Sequence, residues 1–165
     1  MNLKIILFVS LLISNIFATN FNASKLTKQD VEMLKQIKQQ GAKYGLGYSL
    51  MAIAIKESSI GRYVVNVDSK DFGLYQANIK TVLSRHKVKN TSWNRNRYAM
   101  RLINDFQFAT KNAIAELKYW KKVHNNDWRK VWGSYNGGWK YKSKRAQKYS
   151  REIASIIRQL KRANV

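Results

Sequence analysis

Apolar positions recur at helical spacing through most of the chain. Val31, Leu34 and Ile37 fall on one face of a first helix, and Thr27 with Asp30 three residues on supplies a capping-box-like start. Gly41, Gly45 and Gly47 end that segment before a second, almost wholly apolar one, about Tyr48 to Glu57. Over residues 59–77 the helical period is lost. This stretch reads as irregular or hairpin-like, with "RYVVNV" (62–67) its one good strand candidate. A short helix is expected around Asn78–His86, then a polar loop over 87–96. The longest helix is expected from about Tyr98 to Val123, on a stripe of Met100, Ile103, Phe106, Ala109, Ala113 and Leu117. Asp127 can cap a short helix holding Trp128 and Trp132, and "SYNGGWKYK" (134–142) reads as a loop. A last helix, about Lys144–Lys161, carries Tyr149, Ile153, Ile156, Ile157 and Leu160 on one stripe.

The N-terminus has a different pattern. Lys4 precedes an unbroken apolar run, Ile5 to Ile13, and then small or polar residues. That order is a secretory signal, with cleavage after Ala18 or as late as Ala23. The run is short of the roughly 20 residues a membrane span needs, although a retained N-terminal anchor is the alternative. The expectation is a signal peptide over residues 1–18 and one domain over 24–165, with no stable membrane anchor after cleavage.

Charge narrows the range of partners. The chain's 165 residues hold 31 Lys and Arg against 9 Asp and Glu, a net +22. Such a field draws polyanions and speeds encounter without specifying a fold. Nucleic acid, anionic membranes and acidic wall polymers all qualify, and export makes nucleic acid the poorest fit. There is no cysteine and no proline, so stability rests on core packing and turns rest on Gly, Asn, Asp and Ser. His86 and His124 stand apart from any acidic cluster, so no metal site and no cofactor is expected.

One of the nine acids is oddly placed. Leu50, Ile53, Ala54 and Glu57 share a helix face that is otherwise apolar. Glu57 also sits in the last turn, where the carbonyl end of the helix disfavours an anion. Desolvation and the dipole both raise a carboxyl pKa, as a general acid near neutral pH requires. The competing reading is a glutamate paired with one of the many cations at a helix end, and spacing alone does not exclude it.

The residues that follow do. Glu57-Ser58 is followed by Gly73-Leu74-Tyr75-Gln76, then Ser134-Tyr135-Asn136-Gly137-Gly138, then Tyr149 in "RAQKYSREI". In that order these resemble the Glu-Ser, Gly-Leu-Met-Gln, Ala-Tyr-Asn-x-Gly and C-terminal tyrosine motifs of SLT-type lytic transglycosylases, a branch of the lysozyme superfamily. Tyr75 stands where the family has methionine and Ser134 where it has alanine. The "DFGLYQAN" form is similar to small secretion-system and phage-associated members, and to the matching stretch of animal lysozymes.

The resemblance implies a mainly α, lysozyme-like (goose-type/SLT) domain with a small irregular or β-hairpin segment after the catalytic helix. It also implies cleavage of the β-1,4 MurNAc-GlcNAc bond of peptidoglycan with 1,6-anhydromuramoyl ends, Glu57 making both proton transfers. Gln76, Tyr135 and Asn136 would line the groove, Gly73 and Gly137 would serve backbone geometry near the substrate, Tyr149 would hold the acid, and Ser58 would orient Glu57 or a substrate hydroxyl. Asp71 is the candidate second carboxylate of a hydrolytic lysozyme, against a plain turn role. Trp139, beside glycines and lysines, is the candidate sugar platform, whereas Trp132 is assigned to the core. The expected partners are glycan strands and a secretion-system or envelope assembly, with no specific nucleic acid. The expected state is a monomer exported to a bacterial periplasm. A non-catalytic cationic binder of cell wall or nucleic acid is the rival class, and it gives Glu57 no role.

Overall fold

The computed structural model describes residues 21–165; the expected leader, residues 1–18, lies outside them. Thr27 accepts from the Asp30 amide while Asp30 accepts from the Thr27 amide. This reciprocal capping box opens helix α1, Lys28–Ala42. Helix α2, Gly47–Ser58, forms the centre of the core. Leu50, Met51, Ala52, Ile53 and Ala54 have no exposed surface at all. Full burial of each large one is worth about 1.5–3 kcal/mol, far more than the helix propensities of this β-branched and glycine-started segment. The helix ends on two consecutive left-handed residues, Ser59 and Ile60, whose amides return to the Ile55 and Ala54 carbonyls. A β-branched residue in that region is strained, and the strain sits three residues beyond Glu57.

The region after α2 forms three two-residue strands, β1 (Val65–Asn66), β2 (Asp71–Phe72) and β3 (Ala77–Asn78). They pair antiparallel in the order β1-β2-β3, with Val65 opposite Phe72 and Asp71 opposite Asn78. The expected hairpin is therefore a small meander, and only β1 falls in the anticipated strand segment. Asn78 then caps α3, Ile79–Arg85.

The polar stretch 87–96 is not all loop, because Thr91 caps a helix, α4, at Ser92–Asn104. Nor is there one helix from Tyr98 to Val123. Asp105 adopts an extended conformation, ends α4 and caps α5, Phe106–Val123, by accepting from the Phe108 amide at 2.9 Å. A short capping carboxylate outcompetes continuity of the hydrophobic stripe, and Met100 is accordingly 58% exposed.

Asp127 caps α6, Trp128–Gly137, so the Ser134–Gly137 part of the expected loop is its last helical turn. Gly138, with a φ of 55°, stops the helix, and a 3-10 turn, Gly138–Lys140, follows. Helix α7, Lys144–Arg162, is the longest, and it buries Tyr149, Ile153, Ile156 and Leu160. The main core packs α2 among residues of α1, α5, α6 and α7. A second cluster joins Ile79, Val82 and Leu83 of α3 to Ala99, Leu102 and Phe108. Among the described residues no helix is long and apolar enough to cross a membrane.

Candidate active site

A groove of about 1140 Å³ draws its lining from the end of α2, the meander, α3, α5, α6 and α7. Four of the nine acidic side chains, Glu57, Asp71, Glu116 and Glu152, line it. On so basic a molecule the groove is where carboxylates gather.

Glu57 is partly buried as a residue, yet protein surrounds its carboxyl closely enough for desolvation to dominate. Its pKa is raised to about 7, first by desolvation and further by the charge of Asp71, against the pull of Tyr149, Lys56 and Arg145. The other groove acids are differently situated. Glu152 pairs with Lys56 at 2.8 Å, tying α2 to α7. Glu116 is ion-paired with Arg85 and accepts from the Trp120 indole at 2.6 Å. Asp71 accepts from the Asn78 amide nitrogen at 2.8 Å across β2 and β3.

The hydroxyl of Tyr149 is buried without a partner of normal hydrogen-bond geometry. It nonetheless lies near enough to Glu57 for the two to influence each other. The phenol lowers the acid, while desolvation and then the Glu57 charge lift the Tyr149 phenol well above its ordinary range. Tyr135 donates to the Tyr75 carbonyl at 3.0 Å and lines the groove with Asn136. Gln76 also lines it, although its amide nitrogen is held by the Gly73 and Tyr63 carbonyls.

Ser58 is placed differently from Glu57. Its hydroxyl is buried, donates toward the carbonyls of Leu74 at 2.7 Å and Ala54 at 3.1 Å, and accepts from the Gly61 amide at 2.8 Å. All three partners are backbone, so Ser58 joins the end of α2 to the 73–76 turn. Gly73 is buried beneath the groove rather than on its surface. A Cβ there would lie 2.1 Å from the Leu102 carbonyl oxygen, at a φ of +81°. Only glycine satisfies both limits.

Trp139 is 68% exposed, lines the groove and meets Trp120 edge to face at 5.2 Å. Trp120 and Tyr119, which meet at 4.8 Å, extend this aromatic wall. They were not singled out in the sequence, nor were Arg85, Glu116, Lys56 and Glu152. Periodicity places Glu116 one helical turn before Trp120, but nothing local shows that Arg85 arrives from α3. Trp132 packs against the core and donates to Ser49 at 3.1 Å.

The two departures from the expected motifs both add a hydroxyl, and each finds a partner on α5 or its cap. Tyr75 bonds Thr110 at 3.1 Å, and Ser134 bonds His124 at 2.8 Å. A buried hydroxyl without such a partner would cost about 1–3 kcal/mol.

The transglycosylase SLT domain family matches residues 35–157, well over half of the chain and all the motif positions. The chain belongs to the transglycosylase SLT domain family. It is 35% identical over 124 residues to an uncharacterized 20.7 kDa protein from the vs-regB intergenic region of Enterobacteria phage T4. That alignment takes in 72% of this chain and 65% of the phage protein, so the chain spans just under two thirds of its relative's length. No solved structure matches it. Among the described residues no group of three or more His, Cys, Asp or Glu is placed to hold a metal ion.

Proposed function

We propose that this SLT domain is a peptidoglycan lytic transglycosylase with Glu57 as its acid and base. The carrying observation is a groove carboxyl raised to about 7, beside two that are ion-paired. Glu57 donates its proton to the oxygen of the β-1,4 bond between N-acetylmuramic acid and N-acetylglucosamine as the C1–O bond breaks. The resulting carboxylate then removes the proton of the muramoyl C6 hydroxyl, and that oxygen closes on C1. The product is a 1,6-anhydromuramoyl end, and no water is consumed. A carboxyl with pKa near ambient pH serves both directions of transfer. Tyr135, Asn136 and Gln76 border the path of the strand, and Trp139 offers a ring face for a sugar.

Asp71 favours a second reading. It lines the same groove, raises Glu57 electrostatically, and is oriented by Asn78. A hydrolytic lysozyme mechanism would use it as the second carboxylate. Muropeptide masses separate the two. Purified peptidoglycan digested with the protein gives products one water lighter than hydrolytic ones if the transglycosylase reading holds, and Glu57→Gln gives none. Hydrolytic masses would move the assignment to Glu57 with Asp71. Binding of the wall without any release, by both proteins, would favour the cationic binder.

In the cell we place the enzyme in the periplasm, exported by the expected leader, acting as a monomer on glycan strands. Local wall opening for a secretion assembly and general wall turnover both fit this reading.

A further inference from the structure

The molecule has a second charged surface, on the face of α5 turned away from the groove. Within helix α2, Tyr48 and Glu57 lie nine positions apart, about 14 Å along its axis. Around Tyr48 and the preceding turn, lysines are seated on aromatic rings. Lys38 and Lys161 lie over Tyr48 at 4.6 and 5.3 Å, Lys43 and Lys118 over Tyr44 at 4.9 Å each, and Lys121 over Trp128 at 5.6 Å. Lys122 adjoins them. Together with Tyr44, Lys118, Lys121, Asn125 and Asn126 it lines a shallow concavity of about 420 Å³. The faces of α5 are divided: Glu116, Tyr119 and Trp120 line the groove, while Lys118, Lys121 and Lys122 line this concavity.

Among the described residues, none of these six lysines is ion-paired with an acidic side chain. Glu116, the acid nearest in sequence, is ion-paired with Arg85 and Asp127 with Lys130, and Lys38 additionally donates to an oxygen of Val165 at 3.0 Å. Two ammonium groups over one ring lie at most about 10 Å apart, about one Debye length at 0.1 M ionic strength. Helices α1, α5 and α7 all end here, and each carbonyl end carries about −0.5 charge. That answers only a fraction of six positive charges. A ring face attracts a cation but occupies none of its N–H donors, so the ammonium groups stay able to bind an anion.

We infer that this pole is a second binding site, for a linear phosphate-bearing polyanion. The chemistry selects that occupant. The rings are covered by lysines, so they offer no stacking platform for bases. The most exposed large apolar side chains, Trp93 and Val67 among them, lie elsewhere, so nothing here inserts into a bilayer. What remains is a concave array of ammonium and amide groups, matched to phosphates repeated along a chain. An enzyme held by this pole keeps its groove open, because the two surfaces lie at opposite ends of α2. The inference does not rest on the proposed catalysis.

The test uses the whole chain and inorganic long-chain polyphosphate, with binding read by fluorescence across a salt series. The triple variant Lys118→Gln, Lys121→Gln, Lys122→Gln is compared with Lys87→Gln, Lys89→Gln, Arg97→Gln, which removes the same charge from exposed positions of the α3–α4 region. The expected result is at least tenfold weaker binding for the first triple. Its slope of log K against log salt should fall by about 2, as for the loss of three phosphate contacts, with a less than threefold change for the second. Glu57→Gln should bind like the parent. Equal losses in both triples would reduce the site to net charge and overturn it. Tighter binding per phosphate to phosphatidylglycerol vesicles than to polyphosphate, abolished by the first triple, would make the pole a membrane surface instead. A thermal midpoint unchanged within a few degrees shows that the variants are folded.

Discussion

The hydroxyl of Ser58 donates to the Leu74 carbonyl at 2.7 Å, joining the residue after Glu57 to the turn that carries Gln76. Two motifs sixteen residues apart are thereby one unit: the end of α2 cannot shift without the 73–76 turn. The same hydroxyl accepts from the Gly61 amide, so it also stabilises the strained exit from the helix.

Ser58→Ala leaves the Leu74 carbonyl short of a donor and the Gly61 amide short of an acceptor. The expected loss is about 1–3 kcal/mol of stability, read by urea unfolding. Activity on peptidoglycan should fall as well, without a shift in pH profile, because Ser58 touches backbone rather than the acid.

Glu57→Gln should abolish muropeptide release and, above neutral pH, stabilise the fold. A carboxyl raised from 4.5 to about 7 carries no penalty below pH 4.5, where folded and unfolded states are both protonated. The penalty grows between pH 4.5 and 7 as only the unfolded state ionises, reaching about 3 kcal/mol above 7. Unfolding curves for the parent and Glu57→Gln at pH 4 and pH 8 should differ little at the first and by up to that amount at the second.

Activity should decline with rising pH along a limb near 7, since the protonated acid starts the reaction. Tyr149→Phe and Asp71→Asn should move this limb in opposite directions. The phenol lowers the Glu57 pKa and Asp71 raises it, so the limb moves up for Tyr149→Phe and down for Asp71→Asn. Profiles of kcat/KM on soluble glycan strands would show this. Both moving the same way would refute the electrostatic account.

Gly73→Ala should be among the most damaging single changes outside the core. The methyl meets the Leu102 carbonyl oxygen, which belongs to the α4 backbone and cannot rotate away. A loss above about 2 kcal/mol is expected from the clash and the left-handed backbone together, seen as a lower thermal midpoint or an insoluble product.

The sequence by itself determined most of the helices, the capping at Thr27 and Asp127, and the apolar face on which Glu57 sits. These follow from local periodicity and from side chains that reach only three or four residues. It also placed the motifs in their family order. It misjudged Asp105 and the Ser134–Gly137 turn, where one capping residue or a single following glycine decides between helix and loop. What only the tertiary structure decided is which groups meet: Ser58 with Leu74, Arg85 with Glu116, Tyr75 with Thr110, Ser134 with His124. The elevation of Glu57 was foreseeable from its helix face and the place of Tyr149 beside it from the family motif, but the contributions of Asp71 and Lys56 were not. Desolvation and Coulomb interactions depend on distances between chain-remote groups, and those exist only once α2, α7 and the meander have packed around one groove.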